Sequence, residues 1–198
     1  MITPDLERDR LASLAAAALR GGADVIQLRH KLLARGELLL LARRLRELTR
    51  VARALFVVND HLDLALLSEA DGVHLGPDDL SIAGARRVAG DRLLIGASAS
   101  NPTAAKAAID SGADYVGCGP AFATPLKPEK EVIGPGGVAA VANALGPAIP
   151  VFAIGGIDAS NIAQLVAAGV RRACVIRAVG DAADPETAAR RLRAMLEE

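Results

Sequence analysis

The sequence predicts an α/β fold, a (β/α)8 TIM barrel with a short or clipped first strand, spanning residues 1–198 as one domain. Three observations predict it. The strand-like runs are apolar throughout rather than alternating, as in a parallel sheet covered by helices. Helix-like segments with apolar residues at i, i+3 and i+4 separate them. The segments GGADVIQLR, EADGVHLG, SGADYVGCG and AAGVRRACVIR resemble one another and recur at every second strand. That weak βαβα repeat favours a closed barrel over an open doubly wound sheet.

The strand-like runs are VIQL (25–28), ALFVV (54–58), GVHL (72–75), LLIGAS (93–98), YVGCG (115–119), PVFAIG (150–155) and ACVIRA (173–178). Ile2, Thr3 and Pro4 would be the eighth and shortest strand, opening the chain. A strand so short predicts a weak seam in the barrel, which a chain extension or a partner subunit could cover. Helical spacing covers 6–19, 34–51, 102–111, 136–145 and 161–168, with glycines at 21, 22, 112 and 169 closing helices before the next strand. No linker-like stretch divides the 198 residues.

Composition narrows the function. The 23 basic and 23 acidic residues balance, so nucleic acid or an anionic membrane is not the expected main partner. Three Phe, one Tyr and no Trp leave little surface for base stacking. No signal-peptide pattern or bilayer-length apolar run is present. Cys118 and Cys174 sit in apolar runs without a disulfide framework or zinc-ligand spacing, which fits a cytoplasmic setting.

Barrel enzymes carry their chemistry on loops after the C-terminal ends of strands, and there the polar residues gather. Gln27 and Arg29 share one strand face and can point into the barrel mouth, with His30 and Lys31 following. Arg and Lys suit phosphate oxygens, although QLRHK also reads as a solvated basic turn. Asn59 and Asp60 end one strand run, and Asp79 follows the next. Two carboxylates are ligands that magnesium accepts alongside phosphate and water. Taken singly, each reads more readily as a cap of the following helix. His74 reads as a packed strand residue, and Ser98 as a phosphate donor or a partner for backbone. GCGPAFATPLKPEKEVIGPGG is the longest irregular stretch, of the kind that forms a lid. Gly155 and Gly156, leading towards a helix, read as a phosphate cradle, with Ile176 and Arg177 after the last strand.

QLRHK, VVND, ADGVHLGPDDL, GADYVGCGPAFATPLK, VFAIGGI and AAGVRRACVIR, in this order, resemble the thiamine phosphate synthase family over nearly the whole chain. The family is a (β/α)8 barrel that joins hydroxymethylpyrimidine diphosphate to a thiazole phosphate, giving thiamine phosphate and pyrophosphate. By this resemblance, Gln27, Leu28, Arg29, His30 and Lys31 match the segment that holds the pyrimidine diphosphate. Asn59, Ser98 and Lys127 match further diphosphate contacts, and Asp60 and Asp79 match magnesium ligands. Thr124, Pro125 and Leu126 match the loop at the thiazole phosphate, with Gly155, Gly156, Ile176 and Arg177 as its cradle. Arg29, Lys31, Ser98 and Lys127 would carry the catalysis. The resemblance thus implies a magnesium-dependent transferase acting on small molecules, with homo-oligomerisation left open.

Two departures stand out. The family loop usually reads Thr-x-Thr-Lys, whereas Leu126 has no hydroxyl to donate, and Pro77 stands where the family often has Gln. A related thiazole tautomerase carries a His in the loop where this chain has Gly119, Pro120, Ala121 and Phe122. That rival, and a catalytically silent phosphate-ligand binder of the same fold, are the alternatives. Turnover with both substrates separates synthesis from silent binding.

Overall fold

The computed structural model describes residues 1–125 and 128–197. Seven parallel strands run in chain order: β1 (Val25–Leu28), β2 (Leu55–Asn59), β3 (Gly72–Leu75), β4 (Leu94–Ala99), β5 (Tyr115–Cys118), β6 (Val151–Ile154) and β7 (Ala173–Cys174). The chain start closes the ring between β7 and β1. Ile2 bridges Gln27 in parallel, and its N–H donates to Val175 O at 2.9 Å. Gln27 N–H donates to Met1 O at 2.8 Å, and Thr3 N–H donates to Gln27 O at 2.9 Å. The expected short first strand is thus a single bridge that still supplies bonds to both neighbours.

Helices α1 (Arg8–Arg20), α2 (Arg35–Ala52), α3 (Leu62–Leu67), α4 (Ile82–Ala89), α5 (Pro102–Asp110), α6 (Gly134–Leu145), α7 (Ile162–Ala167), α8 (Arg177–Gly180) and α9 (Pro185–Glu197) surround the strands. Local chemistry starts several of them. Glu7 accepts the N–H of Asp9 and Arg10 at α1, Ser81 accepts Gly84 N–H at α4, and Asn101 accepts Ala104 N–H ahead of Pro102 at α5. None of the helices among the described residues is long and apolar enough to cross a membrane.

The strands present two faces. Ile26, Leu28, Phe56, Val58, Val73, Leu75, Ile95 and Val116 are buried against the helices and form the main core with Leu11, Leu41 and Leu45. The alternate positions face the lumen: Gln27, Val57, His74, Gly96, Ser98, Tyr115, Gly117 and Phe152. The repeated Ala-Asp pairs explain themselves at the opposite end. Asp71 accepts Phe56 N–H and pairs with Arg46 of α2. Asp114 accepts Ile95 N–H and pairs with Arg86 of α4. Each carboxylate ties a strand start to its neighbour and to a helix, so the repeat is structural.

The last strand is shorter than the run ACVIRA suggests. Only Ala173 and Cys174 pair with β6, and Arg177 begins α8. The chain leaves the sheet here and turns across the barrel mouth.

Candidate functional site

The C-terminal ends of the strands form a mouth with two halves. Over β1, β2 and β3 lie the charged groups. Arg29 continues β1, where its N–H donates to Thr3 Oγ1 and its carbonyl accepts the threonine hydroxyl, both at 2.9 Å. Asp5, just beyond the short first strand, organises the loop. Its carboxylate accepts Lys31 N–H at 2.7 Å and stands 3.6 Å from the Arg29 guanidinium. Asp5 escaped the sequence reading because Pro4 and Asp5 look like an ordinary turn. Its signal was a carboxylate following a strand, the same signal that singled out Asp60.

Two members of QLRHK are spent on structure. Leu28 is 1% exposed and packs in the core, so its side chain does not reach the mouth. His30 Nε2 bonds Leu6 O at 3.0 Å, and its Nδ1 lies 3.2 Å from both Leu32 N and Leu33 N. Its side chain, 5% exposed, ties the first loop to the approach of α2. Gln27 lies buried on the lumen face of β1, and Lys31 is exposed.

Asp60 and Asp79 come together from different loops. Asp60 has φ 64, and its N–H donates to His74 O at 2.9 Å, which turns the carboxylate over the end of β3. A non-glycine residue there is uncommon, though Asp tolerates it better than most. Asp79 is fixed by accepting Gly76 N–H at 2.8 Å. The two carboxyls lie close enough to act on one another. Burial, then the bond to Asp79 and its charge, push the Asp60 carboxyl up to about 6 against the pull of Arg29 and Lys31. Neither aspartate caps a helix. The N-cap of α3 is His61, which makes no side-chain cap bond, and Ser81 caps α4. The cap alternative therefore falls.

Hard oxygen donors pressed together beside cationic groups fit a divalent cation such as magnesium. Among the described residues no cluster of three or more His, Cys, Asp or Glu offers a closed metal cage. Two carboxylates would leave most of the coordination sphere to water and ligand oxygens. Asn59 ends β2 beside them, in register with His74.

Over β4 to β7 the mouth deepens into a cavity of about 700 Å3, a volume suited to a small ligand. Ser98 and Pro77 stand at its border with the charged half. Thr124 and Pro125 line it from the long loop, whereas Leu126 and Lys127 lie outside the described residues. Gly155 and Gly156 line its far wall with φ of 100° and 63°, values that suit glycine. A Cβ on Gly156 would overlap the carbonyls of Phe122 and Ala123, so the long loop rests directly on this turn. Phe122 N–H donates to Gly155 O at 3.0 Å, and Asn161 Nδ2 donates to Gly156 O at 2.8 Å. Sequence spacing places Asn161 simply at the start of a helix, yet its side chain clamps the glycine turn. The glycines do not run straight into a helix: α7 begins at Ile162, after a turn held by Asp158 and Ser160. Ile176 and Arg177 close the cavity, where Arg177 Nε donates to Asp181 at 2.9 Å.

A family model described as thiamine monophosphate synthase matches residues 1–179. A thiamine-phosphate synthase from Methanoculleus marisnigri is 49% identical over 185 residues, covering 92% of this chain and 85% of that protein. One from Mycolicibacterium vanbaalenii is 44% identical, covering 96% of this chain and 89% of that protein. One from Thermosynechococcus vestitus is 45% identical over 93% of this chain, which spans 52% of that longer protein. Among solved structures, a thiamine phosphate pyrophosphorylase from Pyrococcus furiosus superimposes with TM-score 0.90 at 38% identity, covering 99% of this chain and 93% of that one.

Proposed function

We propose that this chain, which belongs to the thiamine monophosphate synthase family, joins hydroxymethylpyrimidine diphosphate to a thiazole phosphate and releases pyrophosphate. The observation that carries this reading is the divided mouth. One half gathers Arg29, Lys31 and a carboxylate pair, and the other is a cavity with a glycine turn and Arg177 at its wall.

In the proposed reaction the methylene carbon–oxygen bond of the pyrimidine diphosphate breaks, and the electron pair leaves with the diphosphate. The thiazole ring nitrogen donates its lone pair to the methylene carbon, and the positive charge ends on the thiazolium. No proton has to be moved, so the protein's part is charge stabilisation and positioning. Arg29 and Lys31 offset the departing charge, joined by Lys127 on the family resemblance. Gln27 and Asn59 bind the diphosphate end, and Ser98 donates its hydroxyl to it. Asp60 and Asp79 would hold magnesium, which neutralises diphosphate charge when bound. Thr124, Pro125, Leu126, Gly155, Gly156, Ile176 and Arg177 take the thiazole phosphate.

Pyrophosphate release, measured with both substrates in magnesium and again in excess chelator, tests the reading. The expected result is release that needs both substrates and falls when metal is removed. Binding of both without release would favour a phosphate-ligand binder instead.

A further inference from the structure

The lumen holds a polar chain that the binding residues alone do not account for. His74, Gly96 and Tyr115 form one row across three strands, with His74 paired to Gly96 and Gly96 paired to Tyr115. The His74 and Tyr115 side chains meet over Gly96, with His74 Nδ1 at 3.3 Å from Tyr115 Oη. On the other side of the ring, His74 Nε2 stands 3.0 Å from Ser98 Oγ. Ser98 lies one layer nearer the mouth and pairs with Gly117.

The two glycines are what make room. A Cβ on Gly96 would overlap the Tyr115 ring and sit 2.6 Å from His74 Nδ1. A Cβ on Gly117 would come within 3.0 Å of His74 Cε1. Any other residue at 96 would force the tyrosine and histidine apart. Phe152 fixes the far side of the tyrosine edge-on, with ring centroids 5.7 Å apart and planes at 79°.

Hydrogen counting sets the direction of this chain. Burial pushes the Tyr115 phenol well above its usual range, so it keeps its proton. Among the described residues its hydroxyl has His74 Nδ1 as its hydrogen-bond partner. If Nδ1 carried the imidazole proton, the phenolic hydrogen of this half-buried tyrosine would have no protein acceptor among the described residues, which is costly. Donation from the phenol to Nδ1 avoids that and leaves the proton on Nε2. Nε2–H then donates to Ser98 Oγ, which occupies a serine lone pair and frees the serine hydrogen to point elsewhere. Ser98 is exposed at the border between the charged half and the cavity.

We infer that Tyr115 and His74 are positioning residues that hold Ser98 as a hydrogen-bond donor aimed into the mouth, through the chain Tyr115 Oη–H to His74 Nδ1 and His74 Nε2–H to Ser98 Oγ. Its catalytic consequence rests on the proposed synthase reaction, in which the serine hydrogen meets the departing diphosphate oxygen. The tautomer itself does not depend on that reaction.

Two measurements test the chain separately. Long-range 1H–15N spectra of the ligand-free protein read the His74 tautomer. The expected spectrum has Nε2 protonated and Nδ1 bare, and Tyr115→Phe, which keeps the ring against Phe152, gives mixed tautomers. A His74 protonated on Nδ1 in the parent protein, or a spectrum unchanged in Tyr115→Phe, overturns the inference whatever the enzyme does. Steady-state pyrophosphate release then reads the consequence. Tyr115→Phe is expected to lower kcat roughly tenfold with little change in KM, the effect of one lost positioning hydrogen bond. Tyr115→Phe combined with Ser98→Ala is expected to be no slower than Ser98→Ala alone, because both act through one hydroxyl. Independent, multiplying losses would overturn the chain and leave Tyr115 a packing residue. A parent protein that releases no pyrophosphate overturns the reaction, with the tautomer still measured.

Discussion

Replacing Asp60 by Asn should make the ligand-free protein more stable at neutral pH, although it removes a functional group. The Asp60 carboxyl is raised from 3.8 to about 6, chiefly by burial and then by Asp79. A raised carboxyl pKa means that the folded state holds its proton more tightly than the unfolded chain does. The folded form is therefore favoured at low pH, and this advantage is lost as pH rises from 3.8 through about 6. Above that range the ionised pair costs stability. About two units at roughly 1.4 kcal/mol each set a ceiling near 3 kcal/mol. The pair opens to solvent at the mouth, and screening brings the expected cost to about 1 kcal/mol. In a chain of this length that shifts the midpoint of thermal unfolding by about 2–4 °C. Asn tolerates the left-handed backbone at this position, so the exchange adds little strain.

The assay is thermal unfolding of parent and Asp60→Asn between pH 4 and 8, in chelator and again in magnesium with pyrophosphate. In chelator, the variant should gain its few degrees at pH 7.5 and lose the advantage towards pH 4. In magnesium with pyrophosphate, the parent should gain stability by mass action and the variant far less. A variant less stable than the parent at pH 7.5 in chelator, or a difference independent of pH, would refute the argument that burial and Asp79 make the ionised Asp60 costly at rest.

Asp60→Asn and Asp79→Asn should each lower pyrophosphate release steeply. The double variant should lose little more than either single, because both would act through one ion. Arg177→Ala should raise KM for the thiazole phosphate about tenfold, the worth of one charge-assisted bond, with the constant for the pyrimidine substrate nearly unchanged in steady-state rates. Leu28→Ala should cost about 2–5 kcal/mol in urea unfolding, as a core truncation does, with no selective change in either substrate's KM. A selective rise in one KM would return Leu28 to the binding surface.

Much of the fold was legible because barrel strands carry a simple signal. VIQL and GVHL coincide with β1 and β3, since both are bounded by turn residues and face helices on one side. The signal failed where chain geometry overrides composition. The run ACVIRA is as apolar as the other strands, yet pairing with β6 ends at Cys174 and Arg177 opens a helix. In the site, exposed charge at strand ends was legible, and burial was not. Leu28 and His30 sit between functional candidates in QLRHK, and only the structure shows that core packing and Leu6 O hold them. Tyr115 and His74 were hidden for the opposite reason. Their partnership depends on Gly96, whose role is to leave space, and an absent side chain gives no periodicity to read.

The order of strands around the ring gives the proposed reaction its geometry. A substitution at carbon needs the leaving group and the attacking atom on different sides of the transferred methylene. Strands β1 to β3 supply the charged half, and β4 to β7 supply the cavity with the glycine turn. Ser98 on β4 stands where the two halves meet, and Asp5, on the segment that closes the ring, fixes the loop that carries Arg29 and Lys31. A diphosphate drawn to the charged half and a thiazole phosphate held in the cavity would therefore face one another across the barrel axis. What the charged half requires from that segment is one hydroxyl, from Thr3, and one carboxylate, from Asp5, and both follow directly from the bridge at Ile2.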